Sequence, residues 1–143
     1  MIAIDTNLLV YAHREDSEFH EPARVALVNL AEGNQPWCIP WPCLHEFLSI
    51  VTHPRIYTPP SPLALALASI KAWIQSPGCV TIGEEPDYFD ILKKLAIEGR
   101  VAGPMIHDAR LAAICIQNSV AALWTADRDF SRFASLKTRN PLV

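Results

Sequence analysis

Four acidic residues, spread along the whole chain, occupy positions where a carboxylate could do chemistry. Asp5 closes a short apolar run at residues 2–5, and Asp127 lies in a polar turn, 125–129, just beyond the apolar run 121–124. Either is the kind of residue that ordinarily caps a helix. Asp108 is harder to explain so simply. At 100° per residue, Met105, Leu111, Ala112, Cys115 and Ile116 form one apolar arc of a helix over 105–118, and Asp108 points into the middle of it. His107, Arg110 and Gln117 lie on or towards the other side. An unpaired carboxylate on a core-facing stripe costs several kcal/mol, so Asp108 must be paired, protonated or bound to a cation. Glu46 sits at the edge of the stripe set by Leu44, Phe47, Leu48 and Val51, beside Ile50. By position alone it reads as a solvated boundary residue, and it gains interest only as a fourth member of a set.

Three or four carboxylates brought together repel by a few kcal/mol per close pair at an effective dielectric near 20. They can share a pocket only with shared protons or bound cations. A site of carboxylates and water suits Mg²⁺ or Mn²⁺, ions that can generate hydroxide and clamp a scissile phosphate. The cation would reverse the sign of the pocket and let it receive a polyanion.

The elements that must position these acids follow from periodicity. Strands are expected at 2–5, 37–39, 79–82 and 121–124, with a β-like stretch at 136–138. Helices are expected from residue 6, from the Asp16-Ser17 capping pair to Glu32, and from Pro42 through 44–52. Further helices are expected over 63–75, 86–98 and 105–118, with Gly33, Gly99 and prolines as stops. Such alternation implies an α/β fold with a four- or five-stranded, mainly parallel sheet covered on both faces. Ligands of such sheets bind beyond the carboxyl ends of the strands, where Asp5 and Asp127 both fall. The apolar residues of 63–74 spread over more than one helix face, which predicts burial on two sides, against a partner or deep in the core.

Four short motifs occur in register across the chain: Ile4-Asp5-Thr6-Asn7, Leu44-His45-Glu46-Phe47, His107-Asp108-Ala109-Arg110-Leu111-Ala112 and Thr125-Ala126-Asp127-Arg128-Asp129-Phe130. With them the chain resembles the PIN-domain ribonucleases of the VapC toxin type, over essentially its whole length. The resemblance implies a three-layer α/β/α fold and an Mg²⁺- or Mn²⁺-dependent endoribonuclease. It also implies a toxin–antitoxin pair, with a small VapB-type antitoxin as partner and a homodimer or toxin–antitoxin hetero-oligomer as the assembly. On this resemblance Asp5, Glu46, Asp108 and Asp127 form the catalytic, metal-binding quartet, with Asp129 as a fifth acid. Asn7 and Thr125 would orient ligands or the attacking water. Arg110, Arg128 and Arg132 are candidates for guiding RNA to the pocket, with surface salt bridges as their plainer role.

Composition bounds the rest. At 143 residues the chain fits one domain, 1–143, and can fold without disulfides or structural metal. Twelve basic and fifteen acidic residues leave a net charge of −3, against a broad basic nucleic-acid surface. Residues 128–143 nevertheless hold four basic residues against one acid. Cys38, Cys43, Cys79 and Cys115 contain no C-x-x-C pair and read as buried reduced thiols. No apolar run is long enough to span a membrane and no signal peptide is evident, so a cytoplasmic protein is expected. A haloacid-dehalogenase-like phosphatase would need a second acid at position 7, where Asn7 stands. A non-catalytic PIN-like module that only binds RNA or protein would have no need to keep Asp108 on an apolar face. Trp73 and Trp124 read as core residues, and Trp37 and Trp41 as half-exposed.

Overall fold

The computed structural model describes residues 1–143. Its apolar runs form five strands: β1 Ile2–Ile4, β2 Trp37–Pro40, β3 Cys79–Ile82, β4 Ala122–Trp124 and β5 Thr138–Arg139. Between them lie six helices: α1 Thr6–His13, α2 His20–Glu32, α3 Trp41–Val51, α4 Leu63–Ile74, α5 Tyr88–Glu98 and α6 Ile106–Gln117. The strands make one all-parallel sheet in the order β3-β2-β1-β4-β5. β1 and β2 are buried throughout, as continuous apolar strands in the middle of a two-sided sheet should be. The layers are α/β/α. The core is contiguous, with Trp37, Phe47, Phe130, Phe133, Ile4 and Leu8 among its fully buried side chains.

The strand order fixes where a ligand can enter. From β1 the chain winds outward to β2 and β3, then crosses back to β4 on the other flank of β1. Between β1 and β4 the winding reverses direction, and loops leaving those two strands diverge to open a crevice at the carboxyl edge. The register pairs Ile4 with Trp124, and the Asp5 N–H continues the ladder to the Trp124 carbonyl at 3.0 Å. Asp5 and Thr125 therefore stand side by side at that edge, as the sequence predicts for Asp5 and the 125–129 turn.

Several boundaries differ from expectation for identifiable reasons. α2 begins at His20 instead of at the Asp16-Ser17 pair. Asp16 is held by the Arg14 guanidinium at 2.6 Å, and the Ser17 hydroxyl accepts from the Phe19 N–H, so both side chains serve a turn before the helix. α5 begins at Tyr88, not Pro86, because Asp87 takes a left-handed conformation with φ 70° that a helix cannot include. The last strand lies at Thr138–Arg139, while Leu136 turns into the core. Trp37 is completely buried, not half-exposed, because β2 is covered on both faces; Trp41, on α3, is 43% exposed. α4 buries Ala66 and Ile70 and leaves Leu63, Leu65 and Leu67 exposed, so it lies against the core on one side only.

Candidate active site

Asp5 is both a helix cap and a buried acid. Its Oδ1 accepts the Thr6 N–H at 2.7 Å at the start of α1. Its Oδ2 accepts the Thr125 hydroxyl at 2.7 Å and the Asn7 amide at 3.3 Å. The Cys43 thiol approaches Oδ1 from α3 at 3.7 Å. Burial pushes the Asp5 carboxyl up to about 6; hydrogen bonds from Thr125 and Thr6 oppose the rise, and the charges of Glu46 and Asp127 add to it.

Asn7 and Thr125 knit the two strand ends together. The Asn7 amide also donates to the Thr125 hydroxyl at 3.2 Å, and its carbonyl accepts the Ala126 N–H at 3.2 Å. Thr125 in turn accepts the Asp127 N–H at 3.0 Å. This network turns the chain after β4 and presents Asp127, which caps a short 3₁₀ turn by accepting the Asp129 N–H at 2.8 Å. The capping role foreseen for Asp5 and Asp127 and their presence in one site are thus the same geometry.

α6 brings Asp108 to this edge, entered through Gly103, whose φ of +56° suits a residue without a side chain. Carboxylate oxygens of Asp108, Asp127 and Asp129 all lie within 4.8 Å of one another. Asp108 is half-buried and takes part in no salt bridge; the three ion pairs of the chain are Arg14–Asp16, Arg24–Glu21 and Arg110–Glu84. Burial raises its pKa, and Asp127 and Asp129 raise it further, with Arg132 only partly offsetting them. The neighbouring arginine that would have made Asp108 a purely structural residue does not pair with it. Glu46, exposed on α3, accepts the Thr6 hydroxyl at 3.2 Å.

A cleft of about 460 Å³ joins these groups, lined by Asp5, Asn7, Glu46, Asp108 and Asp127 together with Thr6, Cys43, His107 and Arg110. All four residues of the expected quartet therefore face one space, and Asp129 adjoins it through Asp127 and Asp108. Arg110 lines the cleft, but its guanidinium is engaged by Glu84. Arg132 is turned towards the Met105 sulfur at 3.4 Å, and Arg128 is exposed. Sequence reasoning missed Thr6 and Cys43 as members of the site. Their signals were present: Thr6 is a polar residue between a strand-ending acid and the apolar start of α1, and Cys43 precedes Glu46 by three residues on the same helical face.

A parallel α/β sheet whose carboxyl edge gathers acids from its first strand, two helices and the turn after β4 defines a class, and the comparisons identify it. The PIN domain family matches residues 2–136. Ribonuclease VapC25 of Mycobacterium tuberculosis is 35% identical over 143 residues, covering 100% of both chains. Ribonuclease VapC31 of the same organism is 35% identical over 141 residues, 99% of each. Among solved structures, VapBC2 from Rickettsia felis, bound to a promoter DNA fragment, matches with a TM-score of 0.68 at 20% identity over 98% of both chains. VapC20 of M. tuberculosis, a sarcin-ricin loop cleaving toxin, matches with a TM-score of 0.66 at 15% identity over 95% of this chain and 96% of its own. The chain belongs to the PIN-domain family and, within it, to the VapC type.

Proposed function

We propose that this protein is an endoribonuclease, the toxin of a toxin–antitoxin pair, and that it hydrolyses RNA phosphodiester bonds with Mg²⁺ or Mn²⁺. The observation that carries this reading is the convergence of Asp5, Glu46, Asp108 and Asp127 on one cleft with no basic side chain paired to any of them. The donor set fits a hard divalent cation: it offers carboxylate oxygens, three of them from Asp108, Asp127 and Asp129 within 4.8 Å of one another. Asp5, Glu46, Asp108 and Asp127 would hold the ion, with Asp129 beside them. When bound, such an ion supplies a hydroxide-forming water and neutralises charge on the phosphate.

The protein's own groups do the rest. Asn7 and Thr125 hold Asp5 and the Asp127 turn in fixed relation, a job whose loss typically weakens metal affinity 10–100-fold. Arg128 and Arg132, with Lys137 and Arg139, give the C-terminal rim a local positive excess towards which an RNA backbone is drawn. The partners in this proposal are RNA and a small VapB-type antitoxin; VapBC complexes among the solved structures of the same fold support the second. A homodimer or a toxin–antitoxin hetero-oligomer is the expected assembly. No helix is long and apolar enough to cross a membrane; the proposal places the protein in the cytoplasm with its RNA.

RNA cleavage with and without EDTA tests the reading, alongside D5N, D108N and D127N. Each substitution should lower cleavage by at least about a hundredfold, roughly 2.7 kcal/mol of transition-state stabilisation. Each variant should remain folded, and combined substitutions should cost far less than the product of the single losses. Glu46→Gln should behave alike as a member of the set. Full cleavage by D108N, or wild-type cleavage that ignores EDTA, would end the proposal.

A further inference from the structure

We propose that Thr6 is a positioning residue of this site, one whose N–H and hydroxyl together set the separation of Asp5 and Glu46. The proposal rests on the metal-dependent nuclease reading above. The Thr6 N–H donates to Asp5 Oδ1 at 2.7 Å, and the Thr6 hydroxyl donates to Glu46 Oε2 at 3.2 Å. A single residue thus grips two carboxylates that lie 41 positions apart, one at the end of β1 and one on α3.

Each part of this bridge is constrained. Thr6 is only 5% exposed, so its hydroxyl needs a partner, and Glu46 is the side chain that accepts its hydrogen bond. Its β-branched side chain has only two favoured rotamers in a helix, so the backbone of α1 restricts where the hydroxyl can point, and the bond to Glu46 selects one of them. Glu46, by contrast, sits on an exposed position of α3, where an untethered Glu would sweep through many rotamers. The Thr6 hydroxyl is the one side-chain hydrogen bond it receives. The backbone half of the bridge survives every substitution at position 6 except proline, so the hydroxyl can be tested alone. Valine matches threonine in shape and lacks only that donor.

The experiment uses the whole chain and three readouts: Mn²⁺ affinity by titration calorimetry, kcat and KM for RNA, and thermal unfolding. T6V should melt close to wild type, bind Mn²⁺ about tenfold more weakly and lose kcat by a similar factor, with KM unchanged. T6S, which keeps the hydroxyl, should restore both to within about threefold. In an E46A background T6V should cost nothing further. Should T6V fail to fold, T6A removes the same donor with less bulk and carries the same expectations. T6V or T6A matching wild type in Mn²⁺ affinity and kcat overturns the proposal. So does T6S as impaired as T6V, which would assign the effect to the methyl, or a full loss from T6V in E46A. A wild type that binds no Mn²⁺ overturns the nuclease reading and this bridge with it. A wild type that binds Mn²⁺ and cleaves beside a silent T6V overturns the role of Thr6 alone.

Discussion

Asp5 shows how one residue can serve fold and site at opposed energies. As a cap it satisfies the Thr6 N–H; as a buried acid it pays desolvation that the bonds from Thr125 and Thr6 do not fully offset. Its folded pKa, about 6, lies above the ordinary 3.8, so between those values the native state holds the proton more firmly than the unfolded chain. The contribution of Asp5 to the stability of the metal-free protein is therefore greatest below about pH 4, falls as pH rises to about 6, and levels off above. A rise from 3.8 to about 6 corresponds to roughly 3 kcal/mol. Asp108, also raised, acts in the same direction. Urea unfolding in EDTA from pH 4 to 8 should show D5N gaining on wild type as pH rises, by about 1–3 kcal/mol. Parallel curves for the two proteins would contradict this account of the site's strain. Added Mn²⁺ should flatten the wild-type curve, because a ligand that binds only the native state stabilises it.

Among the elements, the seam between the end of α5 and the C-terminal segment is a tight joint. A methyl at Gly99 would lie 2.8 Å from Phe133 Cε1 and 3.2 Å from the Leu95 carbonyl oxygen. Phe133 is 1% exposed, packs near Phe130 and follows directly on the 3₁₀ turn that Asp127 caps. Overpacking here has no soft way out, since the ring is enclosed and the carbonyl belongs to the helix. G99A should cost about 1–3 kcal/mol, seen as a lower urea midpoint with an unchanged m-value. An unaltered midpoint would show that the ring moves freely. Helix starts follow the same local logic: a boundary falls where side chains such as Asp16 and Ser17 find a turn partner, not where a cap-forming pair first occurs.

For the molecule as a whole, α4 carries the open question of assembly. Leu63, Leu65 and Leu67 are 58%, 60% and 47% exposed on a helix whose inner face already buries Ala66 and Ile70. Removing such surface from water is worth roughly 25 cal/mol per Å², so covering it favours association. Sedimentation at micromolar concentration should show a dimer or, with the antitoxin present, a larger hetero-oligomer. The double variant L65Q/L67Q should weaken that association while leaving the unfolding midpoint of the isolated chain nearly unchanged. A stable monomer whose sedimentation the antitoxin does not alter would count against this face.

What the sequence by itself determined was the periodic pattern that near neighbours set, though not every helix start. Apolar runs and helical stripes are local patterns, and they yielded the alternation of strands and helices and the parallel α/β class. Asp108 stood out for the same reason, because a carboxylate in an apolar arc is visible within one helix. Glu46 could not be read this way: on its own helix it is a boundary residue, and it joins the site through the Thr6 hydroxyl, forty positions away in sequence. The Asp5–Thr125 bond spans 120 positions and exists because β1 and β4 are adjacent and in register. The approach of the Cys43 thiol to Asp5 and the full burial of Trp37 depend likewise on which layers cover which strand. Such contacts arise from strand order, register and packing between distant segments, and no local propensity encodes them; only the tertiary structure decided them.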